Sequence, residues 1–391
     1  MKAVGIIAEY DPFHAGHAWQ IEQAKRLGAE VVAVCMSGDL VQRGTAALLP
    51  PWVRAKAAVL SGADLVVELP NPWACLSAEG FAAAGVHLLS ALPLDTLVFG
   101  AEYPDTDLLF ETADLLLSEP FRQTLAEKLT EGMSFAAARA AAAQELLPGS
   151  GAILERPNNN LGVEYCKAIR LQNSPLQPYS IQRQGADHGQ SGPGQEGFAS
   201  ASHLRECWTQ NGPAGLQGYV PESARQLYQA ESGQDIDRRM WEIALLSRLR
   251  GRTPDQIART RGTGEGLEYL LAKSLKTACT LEQLYDRMKS KRYAHARLRR
   301  YVLDAALGYT DDLPTLPPYL HLLAATPAGL ALLKKAKLPA DTSLARLAKQ
   351  GMECQTAIDA HTAGADLAAL CRMVPQSMGQ SYTRPPFICT K

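Results

Sequence analysis

The chain has no uninterrupted apolar stretch of about 18 residues, the length a membrane-spanning helix needs. Its N-terminus carries neither the basic leader nor the apolar core of a secretory signal. These absences predict a cytoplasmic protein with no membrane partner. The eight cysteines stand singly, with no C-x-x-C pair, which argues against a zinc ribbon or a dithiol redox motif and predicts small, reduced core residues. Internal repeats are also missing. With 46% hydrophobic and 20% charged residues over 391 positions, the composition excludes a disordered chain and allows two or three packed domains.

A net charge of −1 leaves no global excess of either sign, but it conceals an asymmetry. Residues 240–301 hold fourteen Lys or Arg against six Asp or Glu, whereas residues 1–100 hold six against nine. The basic stretch is where a polyanion is to be sought.

Up to about residue 102 short β-rich runs alternate with helical patterns. Strands are predicted over 3–9, 31–35, 65–69 and 96–99, and helices from about 16, over 51–61 and over 77–89. That alternation implies βαβ units, a buried parallel sheet and a Rossmann-like α/β fold. Residues 107–147 have helical spacing, a helix is predicted over 163–170, and a further strand over 176–183. A Gly-rich stretch over 185–197 reads as a mobile surface loop. Beyond about Gly212 the strand pattern vanishes. The expected organisation is therefore an α/β unit over 1–215 and a mainly α-helical unit over 216–391.

His14-Ala15-Gly16-His17 falls at the first strand-to-helix turn. There the carboxyl end of a strand meets the positive end of a helix, and unpaired backbone N–H groups bind phosphates. Gly16 lets a ligand approach the backbone closely. Two histidines at a loop can also be merely packed or solvated, but the topological position favours a nucleotide site. Met36-Ser37-Gly38-Asp39 closes the second strand with another small polar turn, and Phe99-Gly100-Ala101-Glu102 ends the fourth in the same manner or only turns tightly. Ser200-Ala201-Ser202-His203-Leu204-Arg205 is either an ordinary helix cap with a surface Arg or a phosphate-binding helix start. Lys289, Lys291, Arg292, Arg297, Arg299 and Arg300 lie among Tyr293, His295 and Tyr301. They follow cations at Arg248, Arg250, Arg252, Arg259, Arg261, Lys273 and Lys276, a mixture that fits RNA or a solvated face.

The stretches Gly5 to His17, Met36 to Gly44 and Asp64 to Pro70, with Pro157-Asn158-Asn159 and Lys289-Ser290-Lys291-Arg292-Tyr293, together resemble the bacterial tRNA(Met) cytidine acetate ligase family, within the H-x-G-H nucleotidylyltransferases. The resemblance implies an enzyme that uses ATP, with Mg2+, to convert acetate to acetyl-adenylate and then acetylates the wobble cytidine of elongator tRNA(Met). It implies His14 and His17 as catalytic groups that stabilise charge on the α-phosphate. Carried over by motif, the ATP contacts fall on Ile7, Ala8, Glu9, Tyr10, Asp11, Pro12, Phe13 and Gly16, then on Gly100, Asn158 and Arg183. Asn158 and Arg183 bear no readable signal of their own. Ser200, Ser202 and Arg205 resemble the superfamily's second phosphate-binding element. Lys289, Lys291, Arg292, Arg297, Arg299 and Arg300 become the expected tRNA contacts. No bound metal site and no protein partner are implied.

The family usually has Asn where this chain has Asp11, Ala15 and Asp39, and Thr where it has Ser202. Asp39 is expected to put a negative charge beside the phosphates unless magnesium intervenes. After about Pro318 the likeness loosens. The competing reading is a nucleotidylyltransferase acting on a small phosphorylated metabolite. A third, an RNA-binding protein with a dead nucleotide site, is disfavoured by the intact histidines and Gly16.

Overall fold

The strands β1 (Ala3–Ala8), β2 (Val31–Ser37), β5 (Leu65–Leu69), β6 (Thr96–Ala101) and β7 (Gln177–Gln182) follow the predicted alternation in this computed structural model, and a short hairpin pair outside that prediction, β3 (Leu40–Val41) and β4 (Thr45–Ala46), stands between β2 and β5. It describes residues 2–183, 198–264, 266–290 and 293–390. Period-two side-chain placement divides the strands between two cores. Val32, Val34 and Met36 pack with Ile21 and Val53 of the helices Ala15–Arg26 and Pro51–Leu60. Ala33 and Cys35 pack on the opposite face with Phe81 and Val163 of the helices Ala78–Ser90 and Pro157–Leu171. Both faces of the sheet are covered, so its strands read as near-continuous apolar runs.

β1 pairs in parallel with β2 and β6, β2 with β5, and β6 with β7. The expectation that strands cease after about Gly212 is corrected. After the helices that run to Leu307, the chain returns to the sheet with β8 (Leu320–Ala325), β9 (Ala340–Asp341) and β10 (Phe387–Ile388). β8 lies antiparallel to β5 and carries β9 and β10 beside it. The six residues of β8 are all buried, and a short apolar run of this kind cannot be told from a buried helix segment by periodicity alone.

Residues after Gly212 remain mainly helical. A third core is built chiefly from the helices Arg238–Arg250, Leu267–Leu275, Leu281–Met288 and His295–Leu307. It includes Leu40 and Ala46, so the β3–β4 hairpin belongs to both parts of the fold. The loop reading over 185–197 falls within 184–197, outside the described residues, as do Lys291 and Arg292. All eight cysteines are free thiols, five of them buried.

Candidate active site

His14 is the N-cap of the helix Ala15–Arg26 and holds an extended conformation. Its Nδ1 accepts the Gly16 N–H at 3.1 Å, and the His17 Nδ1 accepts the His14 N–H at 3.3 Å. Imidazoles thus do the work usually done by a hydroxyl and a carboxylate in a capping box. The rings stack with centroids 3.7 Å apart at 28°. Burial, reinforced by the Arg183 and Arg205 charges, pulls His14 down to about 3. His17 is pulled well below its ordinary value by burial, then by His14 and Arg183. Both rings are neutral at pH 7, and because each Nδ1 accepts, each Nε2 carries the proton. The pair is a double N–H donor that adds no positive charge.

Gly16 has a role that spacing did not reveal. A β-carbon there would stand 2.9 Å from His14 Cε1 and 3.1 Å from its Nδ1. Its bareness admits the His14 ring over the helix start.

A cavity of about 220 Å³ opens at the carboxyl ends of β1 and β6. Its lining includes both histidines with Ile7, Ala8, Glu9, Tyr10, Asp11 and Gly16 from the first turn, and Gly100, Asn158 and Arg183 from far along the chain. Asn158 and Arg183 are bound together, Nη1 to Oδ1 at 2.6 Å. Glu102 occupies the start of the helix Pro157–Leu171, accepting the Asn158 and Asn159 N–H groups at 3.2 and 2.9 Å. Burial alone would raise Glu102, but the Asn158 side chain and these amides hold it below the usual carboxylate range. Pro12, Phe13 and Ser200 do not line this cavity. Phe13 is fully buried core, and Ser200 accepts the His203 N–H as an ordinary N-cap.

Ser202 and Arg205 line a neighbouring groove of about 770 Å³ instead, with Arg43, Arg238, Tyr285 and Arg299. Asp11 forms the partition. Its carboxylate accepts the Leu48 N–H at 2.6 Å and pairs with Arg43, and Arg205 donates to the Asp11 carbonyl at 2.6 Å. Burial opposes ionisation of Asp11, but Arg43, Arg205 and Arg54 outweigh it and lower its pKa.

The expectation for Asp39 is corrected. It is buried, and Arg372 Nη2 donates to its Oδ1 at 2.8 Å, so its charge is neutralised inside the fold by a residue 333 positions away. The Met36–Asp39 turn is likewise internal, for a β-carbon on Gly38 would meet Asn71 Oδ1 at 2.7 Å and Glu68 Oε1 at 2.8 Å.

Of the expected RNA contacts that are described, Lys289, Arg297 and Arg299 are exposed and Arg300 is half-buried. Arg297 lies over the Tyr293 ring at 5.0 Å and Arg299 over Tyr285 at 5.9 Å. Arg261, counted in the basic stretch, is instead held by Asp304 in a two-pronged pair at 2.7 and 2.8 Å. Sequence reading also passed over Gln42, Arg43 and Arg54. The first two stand in the Met36 to Gly44 motif without a role. Arg54 is fully buried, donating to the carbonyls of Leu49 at 2.9 Å, Glu9 at 2.5 Å and Gly38.

A cavity at the ends of parallel strands, with a histidine pair on the first turn, defines a nucleotidyl transferase architecture. Residues 1–380 match the HIGH Nucleotidyl Transferase family, and the chain belongs to it. Within that class it belongs to the tRNA(Met) cytidine acetate ligase family. The proteins of that name from Syntrophotalea carbinolica and Clostridium perfringens are 36% and 33% identical to it, covering 90% and 86% of this chain and 87% of each relative. The one from Acetivibrio thermocellus is 31% identical over 98% of this chain and 99% of its own. The fold matches crystal structures of Thermotoga maritima TmcAL, apo at a TM-score of 0.92 and bound with alpha-thio ATP at 0.90, each 25% identical and covering both chains fully.

Proposed function

We propose that this chain is an ATP-dependent acetate ligase that acetylates the wobble cytidine of elongator tRNA(Met). The observation that carries the reading is the neutral, stacked His14–His17 pair in the small cavity, in a chain related along nearly its whole length to the acetate ligases. In the first step an acetate oxygen bonds to the α-phosphorus of ATP, and the bond to the departing pyrophosphate breaks. The two Nε2–H groups meet the charge that develops on the α-phosphate oxygens, and Arg183 with Asn158 meets the nucleotide from the opposite strand end. Neutral donors suit this step, since they need no prior charging. In the second step the cytidine exocyclic amine bonds to the acetyl carbon, loses a proton, and releases AMP.

The described residues hold no group of three or more His, Cys, Asp or Glu able to bind a metal. Magnesium would come with the triphosphate and offset its charge. Ile7, Ala8, Asp11 and Gly16 wall the ATP site, and Glu9 and Tyr10 line the rest of the same cavity. Ser202 and Arg205 line the larger groove next to it, which takes the RNA together with the helices that follow residue 215. A small phosphorylated metabolite would need neither this groove nor the exposed cations beside it. Among the described residues no helix is long and apolar enough to cross a membrane, and we assign the reaction to the cytoplasm, where ATP and tRNA are found.

The test is mass spectrometry of tRNA nucleosides from cells with and without the protein. Acetylcytidine should disappear only in its absence. Acetylation by the purified chain that ignores ATP and requires acetyl-CoA would refute the reading.

A further inference from the structure

Two residues that line the small cavity each carry a buried polar atom with no hydrogen-bond partner among the described residues, Tyr10 Oη and Gln42 Nε2. A buried donor without a partner is costly and needs an explanation. Here both belong to one wall system beside the histidine pair. Tyr10 is fully buried, lies edge-on to Phe13, and has its ring centroid 4.6 Å from that of His17. Gln42 leaves the β3 strand with its backbone N–H donated to Glu9 Oε1 at 2.6 Å, so its side-chain amide is spare.

We infer that Tyr10 and Gln42 form the subsite for the carboxylate substrate, a small monoanion, with the phenol O–H and the amide N–H donating to its oxygens. The inference rests on the acetate-activating reading and assigns residues that it leaves without a role. A carboxylate offers two oxygens and about four lone-pair positions, which two neutral donors from the walls of one cavity can share. Both donors are neutral, so they orient the anion without the tight ion pair that would blunt it as a nucleophile. Burial pushes the Tyr10 phenol well up, and it stays protonated as a donor.

Charge chooses among anions here. Glu9 lines the same cavity and disfavours a triphosphate at this end. Its own charge is offset by Arg43 and by Arg54, whose Nη1 holds the Glu9 carbonyl at 2.5 Å. A singly charged, compact acid is what such a balance admits. The multiply charged part of ATP is left to the side of the cavity that carries Arg183.

The experiment is acetate-dependent exchange of labelled pyrophosphate into ATP, with the full chain and three variants. Gln42→Met keeps the volume and removes the amide, Tyr10→Phe removes only the hydroxyl, and Gln42→Glu adds a like charge. The KM for acetate should rise about 10- to 100-fold in the first two, as loss of a hydrogen bond to a charged group requires. It should rise further in Gln42→Glu, while the KM for ATP stays within about twofold throughout. An unchanged acetate KM in both Gln42→Met and Tyr10→Phe overturns the subsite and leaves the acetate-ligase reading standing. Equal losses toward ATP and acetate also overturn it, since that is what a merely structural role would give. If the unmodified chain performs no acetate-dependent exchange, the acetate-ligase reading fails and the subsite with it.

Discussion

Gly44 lies flat against Arg300. A β-carbon on Gly44 would stand 2.8 Å from the Arg300 nitrogen and 2.9 Å from the Arg299 carbonyl carbon, and the residue has φ +78°, a region that only glycine adopts cheaply. The β3–β4 hairpin thereby docks directly on the basic helix His295–Leu307. Arg43 and Arg299 face one groove because of that approach.

Gly44→Ala should therefore cost about 1–3 kcal/mol in stability from backbone strain alone, read by urea unfolding. It should also lower tRNA acetylation more than acetate-dependent pyrophosphate exchange, because the close approach shapes the groove and not the small cavity. A variant as stable and as active toward tRNA as the parent would show that approach to be unimportant.

His14→Ala and His17→Ala should each reduce acetate-dependent pyrophosphate exchange by about a hundred- to a thousandfold, the usual effect of losing a donor to a developing oxyanion. Binding of tRNA, measured by filter retention, should stay close to that of the parent. Parental exchange in either variant removes the histidines from the chemistry.

The depressed His14 value sets a pH window. His14 falls from its ordinary 6.5 to about 3, so the folded chain binds fewer protons than the unfolded one between these values. The stability this contributes is present above about 6.5 and is lost progressively as pH falls toward 3. In the ligand-free protein, the His14 ring protons should show no NMR titration between about pH 5 and 8. A titration midpoint near 6.5 would contradict the buried, neutral pair.

Replacing the exposed Lys289, Arg297 and Arg299 together with Ala should leave folding nearly unchanged. It should weaken tRNA binding and flatten its salt dependence by up to about 0.9 log units per log salt for each phosphate no longer neutralised, less if the bound strand is single. Acetyl-adenylate formation should survive. Normal tRNA binding with failed exchange would move these cations to the ATP site.

Arg372→Met strands the Asp39 carboxylate in the interior. Removing one member of a buried pair costs about 3–5 kcal/mol, and the double change Arg372→Met with Asp39→Asn should recover most of it. Denaturant unfolding of the two variants decides the point. If the single change costs nothing, the pair does not bind the C-terminal segment to the β2 turn.

The alternation of β1, β2, β5, β6 and β7 with their helices was legible in the sequence because strand and helix periods are local, each needing only a handful of neighbours. So was the placement of His14 and His17, since a cap position and the following helix lie within a few residues of each other. That local order, with the family's motifs, determined the Rossmann-like class and most of the walls of the small cavity. Only the tertiary structure decided the rest. It inserted β8 antiparallel beside β5, joined Asp39 to Arg372, placed Arg205 and Ser202 on the larger groove, and left Tyr10 and Gln42 with unsatisfied donors. These relations span tens to hundreds of residues. They depend on which buried charges find partners once the chain has closed, and no spacing along the chain encodes that choice.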